Sequence, residues 1–591
     1  MRASIIIASH CRRAILRRAI QSVLSQDFAA GDYEVILVLD GCEAPDWCVV
    51  ERQNARCRFE VVRQPKRGKA ACINAGLRIA RGELVLFLDD DVLCAPDLLS
   101  KHISAHRNDS GSLVFGPIFT SDESVGNLAT EWIRARYDTW FRQATPETCP
   151  FGWFFCFANP NTSAARSTLI EAGGLDEGFW RCSDAEFGLR LWKGGARFVY
   201  LPDAPVEHVV TETIVELVRG HGFEEGRGEV RLCHKHPEYR RLTSLAGLTC
   251  GRTTQIAARR MLVAGLKLAE AVLGPACHIA NAFRGVSFAR RAGLRMISWL
   301  FFAHFFRGAI SECGSWRQFC REFGQRLPVL AYHRVGKRTS GEWYALTISK
   351  LRLQRHLSWL KRRGWNSVTA VQWLAWREAG TPLPPKPVLL TFDDGFAENM
   401  ENALPLLQRY GFVAQLAIVT RRLGGVSKWD SNDGLPEFPL MDADDIRKWQ
   451  DAGMELASHS RSHPHLPDLA DSELENEIAG SRTDLAAMAE VGNITFVYPY
   501  GEYNDQIRDE VSRHYKLAFS IDNGLNGLAD DALRVRRSVV SQNDTWLDLW
   551  FYTNLGWSPF ELVRRLLWEN GLRLSSRWIL AFKHVVAKAE G

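Results

Sequence analysis

A chain of 591 residues is too long for one hydrophobic core, and at roughly 100–200 residues per domain it calls for three or more structural units. Hydrophobic residues at 46% and charged residues at 24% are the balance of a folded protein, which excludes a largely disordered chain. The formal charge of +5 is small but local, in pairs such as Arg12/Arg13, Arg17/Arg18 and Arg259/Arg260, which suit phosphate-bearing ligands or an anionic membrane surface; with no nucleic-acid module beside them, nucleic acid is not an expected partner.

All 14 cysteines lie at or before Cys320, so disulfides are not a general framework. The opening MRASIIIASHCRR places a short apolar stretch ahead of basic residues, the reverse of a secretory signal. Reduced thiols in the cytoplasm are expected, and the Asn-x-Ser/Thr matches at Asn108, Asn161, Asn493 and Asn543 are then chance matches.

In chain order, SIIIAS, AILRRAIQSVLSQ, YEVILVLDG, GKAACINAGLRIA and ELVLFLDDD alternate strand-like and helix-like patterns. Strand, helix, strand implies crossover connections and a parallel sheet covered by helices, whose ligands sit beyond the carboxyl ends of the strands. Ser9, Asp40 and the run Asp89, Asp90, Asp91 fall at those ends.

Between about Thr211 and Gln325 the text turns to long apolar and basic segments, RRMLVAGLKLAEAVLGPACHIANAF and RMISWLFFAHFFRGAI. The first is interrupted by Lys267, Glu270 and Pro275 and the second is apolar over only eleven residues, both short of the roughly 20 that span a bilayer. Two readings remain open: an amphipathic segment lying on a membrane with Trp299 and Phe side chains inserted, and a helical spacer between domains.

From about Leu327 a second alternating pattern runs through LPVLAYHRV, PVLLTFDDG, FVAQLAIVT, GMELASHS, ITFVYPYG and KLAFSIDN, the form of a closed or nearly closed (β/α) barrel with functional residues at strand C-termini. The tail WSPFELVRRLLWENGLRLSSRWILAFKHVV reads as amphipathic helix.

Three adjacent Asp at a strand end repel one another, so a cation or a helix cap has to account for them. SIIIASHCRRA, EVILVLDGC, RGKAACINAGLRIARGELVLFLDDDV and GLDEGFWRCSDAEFGLRLWKGG resemble, in order and spacing, the inverting family 2 glycosyltransferases of the GT-A fold, over roughly residues 1–215. The resemblance implies a nucleotide-sugar donor, with Asp89 and Asp91 holding Mg²⁺ or Mn²⁺ against its diphosphate and His208 completing the metal shell. Ser9, Asp40, Asp89 and Asp90 then line the nucleotide. A hard divalent ion with oxygen ligands suits a departing diphosphate. Inversion needs a base for the acceptor hydroxyl. Asp184 in CSDAEFGLRL matches the Asp of the family's Glu-Asp motif, with Ser183 replacing the Glu; Glu186 is a second candidate, and a capped helix start of Ser-Asp-x-Glu form is the alternative. Lys66, Arg67 and Lys69 lack phosphate-loop spacing, and CHKH, Cys233 to His236, lacks the second pair of a zinc site.

TFDDG puts Asp393 and Asp394 at a strand end with Gly395 to turn the backbone, and ELASHSRSHPHL follows with His459 and His463 four apart, which on a helical turn face the same way. Two imidazoles and a carboxylate leave a position open, as hydrolytic metal centres do. With FVYPYGEYN, the set resembles the NodB-homology polysaccharide deacetylases, carbohydrate esterase family 4, over about 327–540. The resemblance implies that Asp394, His459 and His463 bind Zn²⁺ or another divalent ion, that Asp393 is the general base for the attacking water, and that the backbone N–H of Tyr500 helps hold the oxyanion formed from an N-acetyl amide. The family's Arg ahead of Pro-Tyr is absent, Thr495 or Ile494 standing there, and no Leu-x-His follows Asp522. In the subgroup beginning YHRV the early His serves as general acid, which nominates His333; a structural strand-end His is the alternative.

The expected fold class is α/β: a GT-A domain at 1–215, a helical, membrane-surface segment at 216–325, and a NodB-type (β/α) barrel with a helical tail at 326–591. The expected function is bifunctional glycan biosynthesis at the cytoplasmic face of the membrane, with a lipid-linked or oligosaccharide acceptor. The alternatives are a single active module beside a carbohydrate-binding one, and a peripheral membrane scaffold.

Overall fold

The computed structural model describes residues 1–10, 13–107, 111–141, 160–248, 253–337, 346–432, 436–488, 495–561 and 563, so most of the Trp-rich tail lies outside the described residues. The chain divides into two compact units, Met1–Leu245 with Ala257–Phe319, and Ala246–Ile256 with Cys320–Gly591.

In the first unit a seven-stranded sheet has the order Arg58–Gln64, Tyr33–Asp40, Ala3–Ser9, Leu84–Asp89, Thr162–Ala165, Ser112–Phe115, Arg197–Tyr200. The first four strands are mutually parallel, and Thr162–Ala165 enters antiparallel on both sides. Every residue of Tyr33–Asp40 is buried, which is why it reads as a continuous apolar run; helices cover both faces of such strands. A second, three-stranded sheet pairs Val206–His208 with Val92–Cys94 on one side and Ile118–Thr120 on the other.

The long helices the sequence sets apart as a segment of their own are grouped with this unit as far as Phe319. Leu300 and Phe301 of helix Ser287–Glu312 share a core with Leu128 and Ile133 of helix Leu128–Phe141 and with Val210 and Leu217. Helix Ser287–Glu312 also crosses Gly222–Lys235 backbone to backbone: a Cβ on Gly226 would lie 1.8 Å from the Phe305 carbonyl oxygen, and one on Gly308 1.9 Å from that of Phe223. Only glycine fits at either point. Among the described residues no single helix is long and apolar enough to cross a membrane; the pair Ile256–Ala264 and Leu266–Ala282 has the length and composition together but is bent by 94°. Cys48, Cys57, Cys72, Cys94, Cys182, Cys233, Cys277, Cys313 and Cys320 are thiols outside any disulfide, whereas Cys42 is disulfide-bonded, an exception to the all-reduced expectation.

The second unit is a curled parallel sheet in the order Leu517–Phe519, Thr495–Val497, Glu455–Ser458, Gln415–Ile418, Pro387–Phe392, Val329–Tyr332, Ser538–Val539, with Asn366–Ser367 added beside Pro387–Phe392. The two ends of this order are drawn together by one stretch of chain: Val535 bridges to Phe519, and Ser538–Val539 then pairs with Leu330–Ala331. The near-closed barrel of the sequence reading is this arrangement. Helices outside it bury Leu353, Leu357, Leu360 and Trp449 against the strands.

Candidate active sites

The small sheet of the first unit builds the first site. His208 pairs with Val92 in register and the Val209 N–H donates to the Asp91 carbonyl at 2.9 Å, which carries the imidazole to Asp91. His208 Nε2 lies 3.4 Å from Asp91 Oδ2, while its Nδ1 is 3.0 Å from the Tyr137 hydroxyl, a partner that fixes the ring. Glu212 supplies a third ligand atom, and one such atom from each of Asp91, His208 and Glu212 lies within 4.8 Å of the other two. That donor set of two carboxylates and an imidazole fits a divalent cation.

The sequence reading differs here in particular ways. Asp89 is drawn off by Lys69 at 2.6 Å and is not in the cluster; Glu212, outside every motif, stands in it. Asp90 is buried and accepts the Ser9 hydroxyl at 2.6 Å, so this pair ties two strand ends together. Asp40 accepts from the backbone N–H groups of Arg67 at 2.7 Å and Gly68 at 2.9 Å, which holds the 66–68 loop over the sheet. Burial pushes the Asp40 carboxyl up, but these donors and Gln64 outweigh it and keep it below the usual range.

Asp184 sits in the first turn of helix Ser183–Lys193. Burial raises its carboxyl, with nearby Lys69 opposing, so it holds a proton more readily than an ordinary aspartate. Lys69 thus links Asp89, Asp91 and Asp184 into one charged cluster. Glu186, the second candidate base, is instead a structural anion: fully buried, bonded to Arg190 at 2.8 Å and His236 at 3.0 Å. Burial would raise it, yet those partners hold it down at about 2.

In the second unit Asp393 and Asp394 follow strand Pro387–Phe392, and Asp394 (φ 72°) and Gly395 (φ 76°) turn the backbone left-handed. His459 follows strand Glu455–Ser458 and its Nδ1 meets the Val497 carbonyl at 2.8 Å, which aims Nε2 at Asp394 Oδ1, 3.4 Å away. His463 Nε2 is 3.5 Å from the same oxygen. The two histidines converge without a helical turn: Ser460 (φ 62°) and His463 (φ 66°) are both left-handed, and the loop is pinned by Glu477, which accepts from the N–H groups of Arg461 and Ser462. Burial pushes Asp394 up, but His459 and its neighbours hold it down at about 2, ionised; burial takes His463 down to about 3, neutral. These are the forms in which carboxylate and imidazole bind metals, and the buried His463 Nδ1 has no hydrogen-bond partner among the described residues. The set fits a divalent cation.

Asp393 has a partner the sequence reading missed. Arg537, 1% exposed, donates to Asp393 Oδ1 at 2.8 Å and to the Ser520 carbonyl at 2.9 Å. Burial raises Asp393, while Arg537, His333 and His459 outweigh it and keep it ionised. Arg537 belongs to the stretch that joins the two ends of the sheet; a run of arginines, RVRR, ahead of the last strand was the available signal. His333 Nε2 lies 3.9 Å from Asp393 Oδ2, within reach of the same site. Tyr500 is left-handed (φ 54°) in the turn after Thr495–Val497.

Each of the two α/β units thus gathers carboxylates at its strand ends, joined in the second by paired histidines. Residues 4–162 match the family Glycosyl transferase family 2, and residues 380–516 match Polysaccharide deacetylase. The chain carries a family 2 glycosyltransferase domain followed by a polysaccharide deacetylase domain. It is 28% identical over 220 residues to Validoxylamine A glucosyltransferase of Streptomyces hygroscopicus subsp. jinggangensis (strain 5008), covering 32% of this chain and 51% of that one. It is 29% identical over 217 residues to N-acetylglucosaminyltransferase of Rhizobium meliloti (strain 1021), covering 35% and 50%. To Poly-beta-1,6-N-acetyl-D-glucosamine N-deacetylase of Escherichia coli (strain K12) it is 26% identical over 254 residues, covering 36% of each. The chain spans about half or less of the length of these three relatives.

Proposed function

We propose that the chain is a bifunctional enzyme of glycan assembly, transferring a hexose from a nucleotide-sugar donor with inversion and hydrolysing the N-acetyl group of an acetylated sugar. The observation that supports this is a separate cluster, in each unit, of side chains that could hold a cation.

In the first unit a divalent cation held by Asp91, His208 and Glu212 would neutralise the departing diphosphate. Asp184, with its raised affinity for a proton, accepts that of the attacking hydroxyl, and Lys69 adds positive charge beside it. In the second, a cation held by Asp394, His459 and His463 would polarise the amide carbonyl and acidify water. Asp393, kept ionised and oriented by Arg537, accepts the proton of the attacking water, and His333 delivers one to the leaving amine. Arg537 supplies the guanidinium whose absence beside the Pro-Tyr pair favours a degenerate second domain.

The first unit rests on a membrane in this reading, at its cytoplasmic face, where a lipid-linked acceptor is presented. Leu268 (71% exposed), Val272 (60%) and Phe288 (77%) lie open on helices that also carry Arg259, Arg260, Lys267 and Arg291, the mix that anionic bilayers attract.

The test is mass spectrometry of products from purified protein given a panel of nucleotide sugars with lipid-linked and oligosaccharide acceptors. The expected outcome is a hexose-type addition abolished by Asp184→Asn and an acetyl loss abolished by Asp393→Asn. Acetyl loss that persists in Asp393→Asn overturns the hydrolytic half.

A further inference from the structure

Beside the second site opens a cavity of about 460 Å³ whose lining includes Arg422, Lys428, Trp429, His463, His465 and Tyr500. Its walls are aromatic planes. Trp429 stacks on His463 with centroids 4.6 Å apart and Tyr500 stacks on His465 at 3.9 Å, surfaces that take the apolar face of a sugar ring.

Its charge is not explained by a neutral sugar. Among the described side chains neither Arg422 nor Lys428 has a carboxylate partner, and the Arg422 Nε is buried with no acceptor among them. Glu502, beside the lining residue His465, is already held by it at 2.8 Å. A buried N–H without an acceptor is costly unless something else in solution supplies one. The arginine is also presented from a fixed turn: the Arg422 N–H donates to the Val419 carbonyl at 2.9 Å, the Gly425 N–H to the Arg422 carbonyl at 3.0 Å, and the Gly424 N–H to the Met441 carbonyl at 2.9 Å.

We propose that the sugar deacetylated here carries a phosphate ester, bound by Arg422 and Lys428 while its ring lies against Trp429 and Tyr500. A guanidinium and an ammonium converging on one pocket are donors matched to phosphate oxygens. This inference rests on the hydrolytic reading above and adds the substrate class. The phosphate has two possible sources, a free sugar 1-phosphate and a lipid-linked sugar diphosphate.

The experiment has a kinetic and a binding arm, both with the full chain loaded with Zn²⁺. Acetate release is measured on N-acetylglucosamine, on its 1-phosphate and on a short-chain prenyl diphosphate derivative. The expected ratio of kcat/KM, phosphorylated to neutral, is about tenfold or more in the wild type, mostly through KM, and falls toward one in Arg422→Gln/Lys428→Gln. A prenyl diphosphate preferred over the monophosphate identifies the lipid-linked source, and equal rates the free one. In the binding arm, inorganic phosphate is titrated calorimetrically into wild type and double variant; the expected result is a binding event in the wild type that is lost in the variant. A wild-type ratio near one, or identical titrations, overturns it. Failure of all three substrates with the binding difference intact counts against the hydrolytic reading instead.

Discussion

Arg537 reaches Asp393 from 144 residues away in sequence, and in the proposed reading its contribution is to orient that carboxylate as the base rather than to touch substrate. Arg537→Ala is expected to lower kcat for acetate release by roughly 10²-fold with little change in KM, Arg537→Lys to recover part of it, and added guanidinium to rescue the Ala variant. A purely structural role would show no rescue. Glu229 gives a second residue-scale prediction. It is buried between the Tyr239 and Thr243 hydroxyls, at 2.7 and 2.5 Å, and burial raises its carboxyl to about 7. The folded state therefore holds a proton that the unfolded chain releases near pH 4.5, so stability falls as pH rises between the two values and stays lowered above. Glu229→Gln should raise the Tm at pH 8, by an amount equivalent to up to about 3 kcal/mol, and leave it little changed at pH 4. Asp393, Asp394, His459 and His463 were legible because residue type, strand end and spacing coincide. Glu212 and Arg537 were not, because they reach their sites through tertiary placement that leaves no local pattern.

Among elements, the crossing of Gly222–Lys235 with Ser287–Glu312 depends on missing side chains. Gly226→Val or Gly308→Val would drive a branched carbon into a facing carbonyl, and each is expected to destabilise the first unit by 3 kcal/mol or so, read as a lowered Tm in calorimetry. The exposed apolar positions predict the opposite pairing of effects. Leu268→Glu with Val272→Glu should leave Tm nearly unchanged while abolishing co-sedimentation with phosphatidylglycerol vesicles; retention on vesicles would remove the membrane reading. The helical character of this region was plain from its apolar and basic segments. Its grouping with the first unit was not, since a hydrophobic stripe says that a helix is covered without saying by what. Likewise the spacing of His459 and His463 suggested a helical turn, and two left-handed residues achieve the same convergence.

At the scale of the whole molecule, a glycosyltransferase domain and a polysaccharide deacetylase domain share one polypeptide, and the order of the two proposed reactions is testable. If both act on one sugar, Asp184→Asn should abolish both mass changes on the unglycosylated acceptor yet leave acetate release from a preformed N-acetylated glycan intact. Equal loss on both substrates would show that the variant disturbs more than transfer. The curled sheet of the second unit adds a further consequence. The stretch from Val535 to Val539 laces the two margins of that sheet together, and the guanidinium that steadies Asp393 is borne on the same lace. In the proposed reading hydrolysis is thereby coupled to an intact rim: a molecule whose rim gapes, by transient fraying or by a protease cut within this stretch, still owns Asp394, His459 and His463 but has let go of Asp393. Amide exchange at Val535 and Val540 should accordingly quicken in step with the decline of acetate release as urea is added, ahead of any general unfolding.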